Sequence, residues 1–373
     1  MRNPRLPGAL AAGAVLALAV TSCSSHPSAS PGESGRQTTR SAPKVPSLAP
    51  AGTPREVAVE LGTPWSLVFV HGTPLLSERD TGHILELGRA GTPRVVGTVA
   101  AVVHEGEAGV LGLAVDRQNR LYVYSTGPRG NRIERYELTG TAGSLALGPH
   151  RTLLDGLPSA DHHDGGRIAF GPDGMLYAGV GDAGNTGNAQ NLKSLSGKIL
   201  RMTPDGAVPA DNPFPGSLVY SYGHRNVQGM AWGRDGTMYA TEFGQDTWDE
   251  LNVIEPGGNY GWPTVEGVAH GHGTFVDPVQ QWRPEDASPS DLLAVDRTLF
   301  IANLRGEVLR TVPMADLGAS TDYYKGTYGR IRALAAGPDG KLWFVTNNTD
   351  GRGRPGQHDD RVLSVKLTPA GGR

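Results

Sequence analysis

The sequence predicts an all-β fold, a six-bladed β-propeller of four-stranded antiparallel blades, and three observations predict it. Glycine (53) and proline (28) together make roughly a fifth of 373 residues, and long helical patterns are few, which favours short strands joined by tight turns. One pattern recurs at intervals of about fifty residues, the length of a four-stranded blade. Within each copy a turn separates two short apolar runs, as in a hairpin.

The clearest copies are Ile168-Ala-Phe-Gly-Pro-Asp-Gly-Met-Leu-Tyr177, Met230-Ala-Trp-Gly-Arg-Asp-Gly-Thr-Met-Tyr239 and Leu334-Ala-Ala-Gly-Pro-Asp-Gly-Lys-Leu-Trp343. Proline presets φ, aspartate bonds back to the backbone, and glycine supplies positive φ. Weaker copies are Leu113-Ala-Val-Asp-Arg-Gln-Asn-Arg-Leu-Tyr122 and Leu293-Ala-Val-Asp-Arg-Thr-Leu-Phe300, and Trp65 to Leu76 opens the domain with a degenerate one. The runs are almost wholly apolar, as expected where both sheet faces pack on neighbouring sheets. A β-sandwich also shows regular hairpins, but it does not repeat one motif six times. Loops from all blades would then converge on a pocket at the axis.

Ahead of the repeats lie two segments of different character. Arg2 and Arg5 precede an apolar run from Ala9 to Val20, too short to span a bilayer, and small residues then lead to Cys23, the single cysteine. This resembles a bacterial lipoprotein signal over residues 1–22, with Cys23 lipidated as the mature N-terminus; the alternative is an ordinary secretory signal. The expected location is extracytoplasmic, at the cell membrane through a lipid anchor, with no disulfide. Residues 23–54 are rich in Ser, Pro, Gly and Thr and read as a disordered tether, leaving 55–373 for the propeller. A net charge of -3 gives no basic footprint, so nucleic acid is not an expected partner. Phosphate-loop, cysteine-zinc and G-x-S-x-G patterns are missing from the sequence, and His270-Gly-His272 reads as a solvated loop.

The stretch from His162 to Pro263 carries the chemistry. It contains His162-His163-Asp-Gly-Gly-Arg167, Gly181-Asp182, Leu195-Ser-Gly-Lys-Ile-Leu-Arg201, Tyr222-Gly-His-Arg-Asn226, Glu242-Phe-Gly244, Asp249-Glu250-Leu-Asn252 and Gly258-Asn-Tyr-Gly-Trp-Pro263. With these pieces in this order the chain resembles the glucose/sorbosone dehydrogenase family, the soluble PQQ-dependent aldose dehydrogenases. The resemblance implies a six-bladed propeller, in agreement with the repeat count.

It further implies His163 as the catalytic base, Asp182 as its orienting carboxylate, Arg225 beside quinone and substrate, and Asn226 on the cofactor. Imidazole suits a base that takes a hydroxyl proton near neutral pH. PQQ carries three carboxylates, and guanidinium groups suit them; Arg305, Arg330 and Arg332 are the candidates. Alternation would put Arg330 and Arg332 on one side of a strand, both able to face the axis; Arg305 stands where the family commonly has lysine. His162 and Glu107 fall at pocket-lining places. For calcium, the resemblance points to the carbonyls of Gly244 and Gln245 beside PQQ, and to Glu250 with the Tyr260 carbonyl for a structural ion. The implied reaction is oxidation of an aldose to its lactone, with electrons passed to an external acceptor. The alternatives are a calcium-dependent lactonase and a non-catalytic anchored propeller that binds a protein or glycan. The arginine trio argues against the lactonase, and the presence of His163, Asp182 and Arg225 together argues against the binding module.

Overall fold

A computed structural model describes residues 46–88 and 91–371. The expected signal over 1–22, Cys23 and most of the expected tether lie outside the described residues. The rest is six antiparallel four-stranded sheets. Five are continuous in sequence, as blades one (64–98), two (110–157), three (168–222), four (227–282) and five (289–323). The sixth joins three C-terminal strands, from residue 331 to 369, to Leu48–Ala58, which pairs as the outermost strand with Val362–Pro369. The first strands of adjacent blades touch one another in a closed ring around the axis.

The pairing of Leu48–Ala58 corrects the tether boundary, since the propeller begins at Leu48 and not at residue 55. The strand was hidden because it does not read as one. It carries Pro50, Gly52 and Pro54 and is bulged between Ala51 and Arg55 and between Glu56 and Ala58. An outermost strand needs a ladder on one side only, so proline is tolerated there.

All six repeat copies are the hairpin between the first and second strands of a blade. Around Gly174, Gly236 and Gly340 one geometry recurs: φ values of 76°, 86° and 72°, with the aspartate one residue earlier accepting from the backbone N–H two residues on. In blade two, Asn119 replaces glycine at φ 60°, which asparagine tolerates best among the residues with a Cβ. The core follows from this layout. Five of six buried apolar clusters join two neighbouring blades, and the sixth adds Trp65 of blade one to blades two and three; one packs Leu113 and Val123 on Leu75 and Ile84, another Phe300 and Leu309 on Leu334 and Phe344. The near-continuous apolar strands are thereby covered on both faces.

Candidate active site

In every blade the innermost strand starts, and the second strand finishes, at the same end of the ring, opposite the Asp-Gly turns. His163 and Arg167 lead into Ile168–Phe170, Asp182 follows Leu176–Val180, Arg225 and Asn226 lead into Val227–Trp232, and Arg330 leads into Ile331–Ala336. Sequence motifs 60 or more residues apart thus meet because they occupy equivalent places in successive blades.

His163 sits at φ 61°, a left-handed conformation unusual for a residue with a Cβ. The loop holds it there. Its N–H donates to Glu107 Oε2 at 2.9 Å, and Gly165 and Gly166 follow with φ of 69° and 103°. A Cβ at Gly165 would stand 2.4 Å from the Gly179 carbonyl oxygen, so the motif requires glycine for close approach as well as for φ. His163 Nδ1 lies 2.7 Å from Asp182 Oδ1. Asp182, fully buried, also accepts from the Gly184 N–H at 2.9 Å and from the Trp262 indole N–H at 2.8 Å. Burial pushes its carboxyl up, but the hydrogen bond and charge of His163, with the indole, outweigh this and hold it below the ordinary carboxylate range. An ionised carboxylate only accepts, so in the neutral form of the ring His163 Nδ1 carries the proton and Nε2 presents a bare lone pair. The dyad can therefore take a proton from a hydroxyl.

The other expected residues divide into those brought to the dyad and those that are not. His162 packs its ring edge-on to His163 with centroids 4.3 Å apart and pairs with Asp161. Glu107 bridges the His163 backbone to Arg352, whose Nη1 is 3.1 Å from Oε1. Burial raises the Glu107 carboxyl, while the Arg352 charge and the His163 N–H bring it below its usual value. Asn226 Oδ1 accepts from the Gly165 N–H at 3.0 Å and from Gln228 Nε2 at 3.1 Å. Arg225 Nη1 donates to the Phe243 carbonyl at 3.1 Å.

Among the described residues, Arg225 Nε, Asn226 Nδ2 and Arg332 Nε are buried without a partner. Arg332 lies 4.4 Å over the Trp65 ring, and burial, with the charge of Arg167, pushes it down to about 9. Such donors suit a buried anion. Arg330 is different. A bulge between Ile331 and Ala333 breaks the simple alternation, and Arg330 pairs with Asp350 at 2.8 Å. Arg305, in the turn after Asn303, is exposed.

The calcium candidates lie in blade four. Gly244 donates its N–H to Asp249 Oδ1, and the N–H groups of Gln245, Asp246, Thr247 and Trp248 all converge on Glu266 Oε1 at 2.7–3.1 Å. With its N–H groups drawn to one carboxylate, the loop leaves its carbonyls for other partners. Glu250 is buried, accepting from the Gly267 N–H at 2.7 Å and Asn252 Nδ2 at 3.0 Å. It is pushed up to about 8, first by burial and then by the charge of Glu242. Glu242, Glu250, Glu266 and Tyr260 line one small cavity. Among the described residues no three carboxylate or imidazole side chains gather as a ligand set, so carbonyl oxygens would have to complete any site.

An acid whose value rises on folding contributes stability at low pH that is lost as pH climbs from about 4.3 towards 8. In calcium-free buffer, Glu250→Gln should therefore melt above wild type at pH 8.5 and level with it at pH 5; thermal melts at the two pH values check this.

Sequence reasoning passed over four site residues. Trp262 and Glu242 lie within the recognisable motifs, which assign them no role; Glu242 accepts from the Asn226 N–H at 3.2 Å and pairs with His224 Nδ1 at 2.8 Å. Asp350 and Arg352 lie in a loop without a motif. His270 and His272 are exposed, as expected.

Known proteins resemble this chain in both sequence and fold. The PQQ-bound aldose sugar dehydrogenase of Streptomyces coelicolor superposes with a TM-score of 0.81 and is 46% identical, covering 86% of this chain and 98% of that one. Quinoprotein glucose dehydrogenase B of Acinetobacter calcoaceticus is 35% identical over 231 residues, 52% of this chain and 48% of the relative, so the match spans about half of that protein's length. A gluconolactonase of Xanthomonas campestris, 14% identical with a TM-score of 0.52 over 86% of this chain and 92% of that one, shares the fold alone. The sequence matches the profile of the Glucose / Sorbosone dehydrogenase family over residues 61–354, and the chain belongs to that family.

Proposed function

We propose that this protein oxidises aldose sugars to lactones with bound PQQ and calcium and passes the electrons to an external acceptor. The observation that carries the reading is the pairing of a poised His163–Asp182 dyad with unpartnered buried donors on Arg225, Asn226 and Arg332. A buried cation without a counter-ion is costly, and a polycarboxylate would relieve that cost. A lactonase has no use for such donors, and a binding module has no use for the dyad.

PQQ supplies a quinone that accepts hydride, and calcium supplies Lewis acidity at its oxygen. Arg332, Arg225 and Asn226 would hold the cofactor, with Arg305 free to reach it from the rim; Arg330 would act through its pair with Asp350. The carbonyls of Gly244 and Gln245 would hold one calcium ion, and Glu250 with the Tyr260 carbonyl a second. His163 Nε2 takes the proton of the anomeric hydroxyl, and Asp182 stabilises the imidazolium that forms. Arg225 keeps positive charge where negative charge develops. His162 and Glu107 line the approach of the sugar.

The test is aldose-dependent dye reduction by purified protein after addition of PQQ and calcium. Activity that requires both supports the reading; absence of PQQ binding at micromolar concentration, with the fold intact, would sink it. Arg332→Leu should weaken PQQ binding by about 100-fold, roughly the 1.5–3 kcal/mol of one or two charge-assisted hydrogen bonds, read by titration.

We further infer that Cys23 carries the lipid anchor and that the protein works outside the cytoplasm. Cys23→Ala should then move the protein from the membrane fraction to the soluble one, and unchanged partition would exclude the anchor.

A further inference from the structure

Trp262 touches both halves of the site. Its Nε1–H donates to Asp182 Oδ2 at 2.8 Å, while His163 and the Gly184 N–H occupy Oδ1. The Arg225 guanidinium lies 5.6 Å from the centroid of the same ring, within cation–π reach. Trp262 is itself tied at both backbone groups. Its N–H donates to the Gly223 carbonyl at 2.9 Å, and its carbonyl accepts from Gln190 Nε2 at 2.7 Å. The Gln190 and Asn259 amides also bond each other reciprocally, at 2.9 and 3.0 Å. A loop of blade three thereby clamps the blade-four turn that carries the indole.

A carboxylate tied through one oxygen can still turn about its Cβ–Cγ bond. With N–H donors on both oxygens, the plane of Asp182 is fixed, and with it the direction in which the imidazole must point. By keeping an accepting oxygen on Nδ1, that fixed plane favours the neutral form of His163 protonated at Nδ1, the only one with its lone pair at Nε2. Support of this kind is what keeps a reacting group within tenths of an ångström of its working position.

We propose that Trp262 is a positioning residue serving both sides of the reaction: its edge locks Asp182, and hence the tautomer of His163, and its face carries Arg225. This rests on the dehydrogenase reading for its catalytic consequence and on geometry alone for its effect on His163.

Two substitutions separate the roles. Trp262→Phe keeps an aromatic face for Arg225 and removes the N–H donor; Trp262→Leu removes both. In cofactor-free protein labelled with ¹⁵N-histidine, the His163 ring nitrogens should report a single Nδ1–H tautomer in wild type and a mixture of tautomers in Trp262→Phe. After addition of PQQ and calcium, Trp262→Phe should lower kcat about tenfold with KM within twofold, and Trp262→Leu should lower kcat/KM further. Gln190→Leu, which frees the Trp262 carbonyl but keeps the indole, should fall between wild type and Trp262→Phe. Circular dichroism and the melting temperature confirm the fold of each variant. An unchanged tautomer with kcat within twofold of wild type in folded Trp262→Phe would overturn the proposal. A changed tautomer in a protein whose wild type never reduces dye supports the positioning role and defeats the dehydrogenase reading instead.

Discussion

Replacing His163 by alanine should lower kcat by about 10³-fold, in the middle of the range for loss of a general base, while leaving KM and PQQ affinity within a few-fold of wild type. The split follows from where the side chain sits. His163 uses Nδ1 on Asp182 and keeps Nε2 free, so its ring is not spent on the donors that would hold an anion. Its backbone bond to Glu107 survives the substitution, so the loop keeps its shape. Steady-state kinetics with a dye acceptor and a PQQ titration read the two halves separately. A kcat within tenfold of wild type would move the base elsewhere, with His162, 4.3 Å away between ring centroids, the first to test.

The second large effect concerns the fold. A chain that begins at residue 59 lacks Leu48–Ala58 and leaves the Val362–Pro369 strand as an open edge. It should lose on the order of 5 kcal/mol, comparable with the whole net stability of an ordinary domain, and become prone to edge-to-edge association. A chain that begins at residue 46 should keep the wild-type melting temperature. Denaturant unfolding of the two chains measures the difference; equal midpoints would mean that the closing strand contributes little. Beginning at residue 55, where composition alone places the boundary, should already cost part of this stability, because the pairs from Leu48–Pro369 to Ala51–Lys366 are lost.

What could be read from the sequence was what local physics encodes. The Asp-Gly hairpins carry their own instructions over ten residues, and all six copies fall where the repeat placed them. His163, Asp182, Arg225 and Asn226 were legible because short motifs name them, and they do meet at one end of the ring. The closing strand was not legible, since nothing local in Leu48–Ala58 announces a strand and its partner lies some 300 residues away. The indole on Asp182 was hidden for the same reason, since 80 residues separate donor and acceptor. Arg330 shows a further limit. The resemblance and strand alternation made it a candidate for a cofactor carboxylate facing the axis, but it pairs with Asp350 from a loop with no recognisable pattern.

The Asp-Gly turns at the far end of the ring have a meaning for how such a molecule can change. A Cβ placed at Gly174, Gly236 or Gly340 would meet nothing within 4 Å, so these turns open on solvent. They share no hydrogen bond with the dyad or its supports. Insertions, fused segments or attachment points could therefore accumulate on that end while the chemistry at the other is left as it was. One face of the ring is free to acquire new associations, and the other is held to its task by bonds that cross between blades.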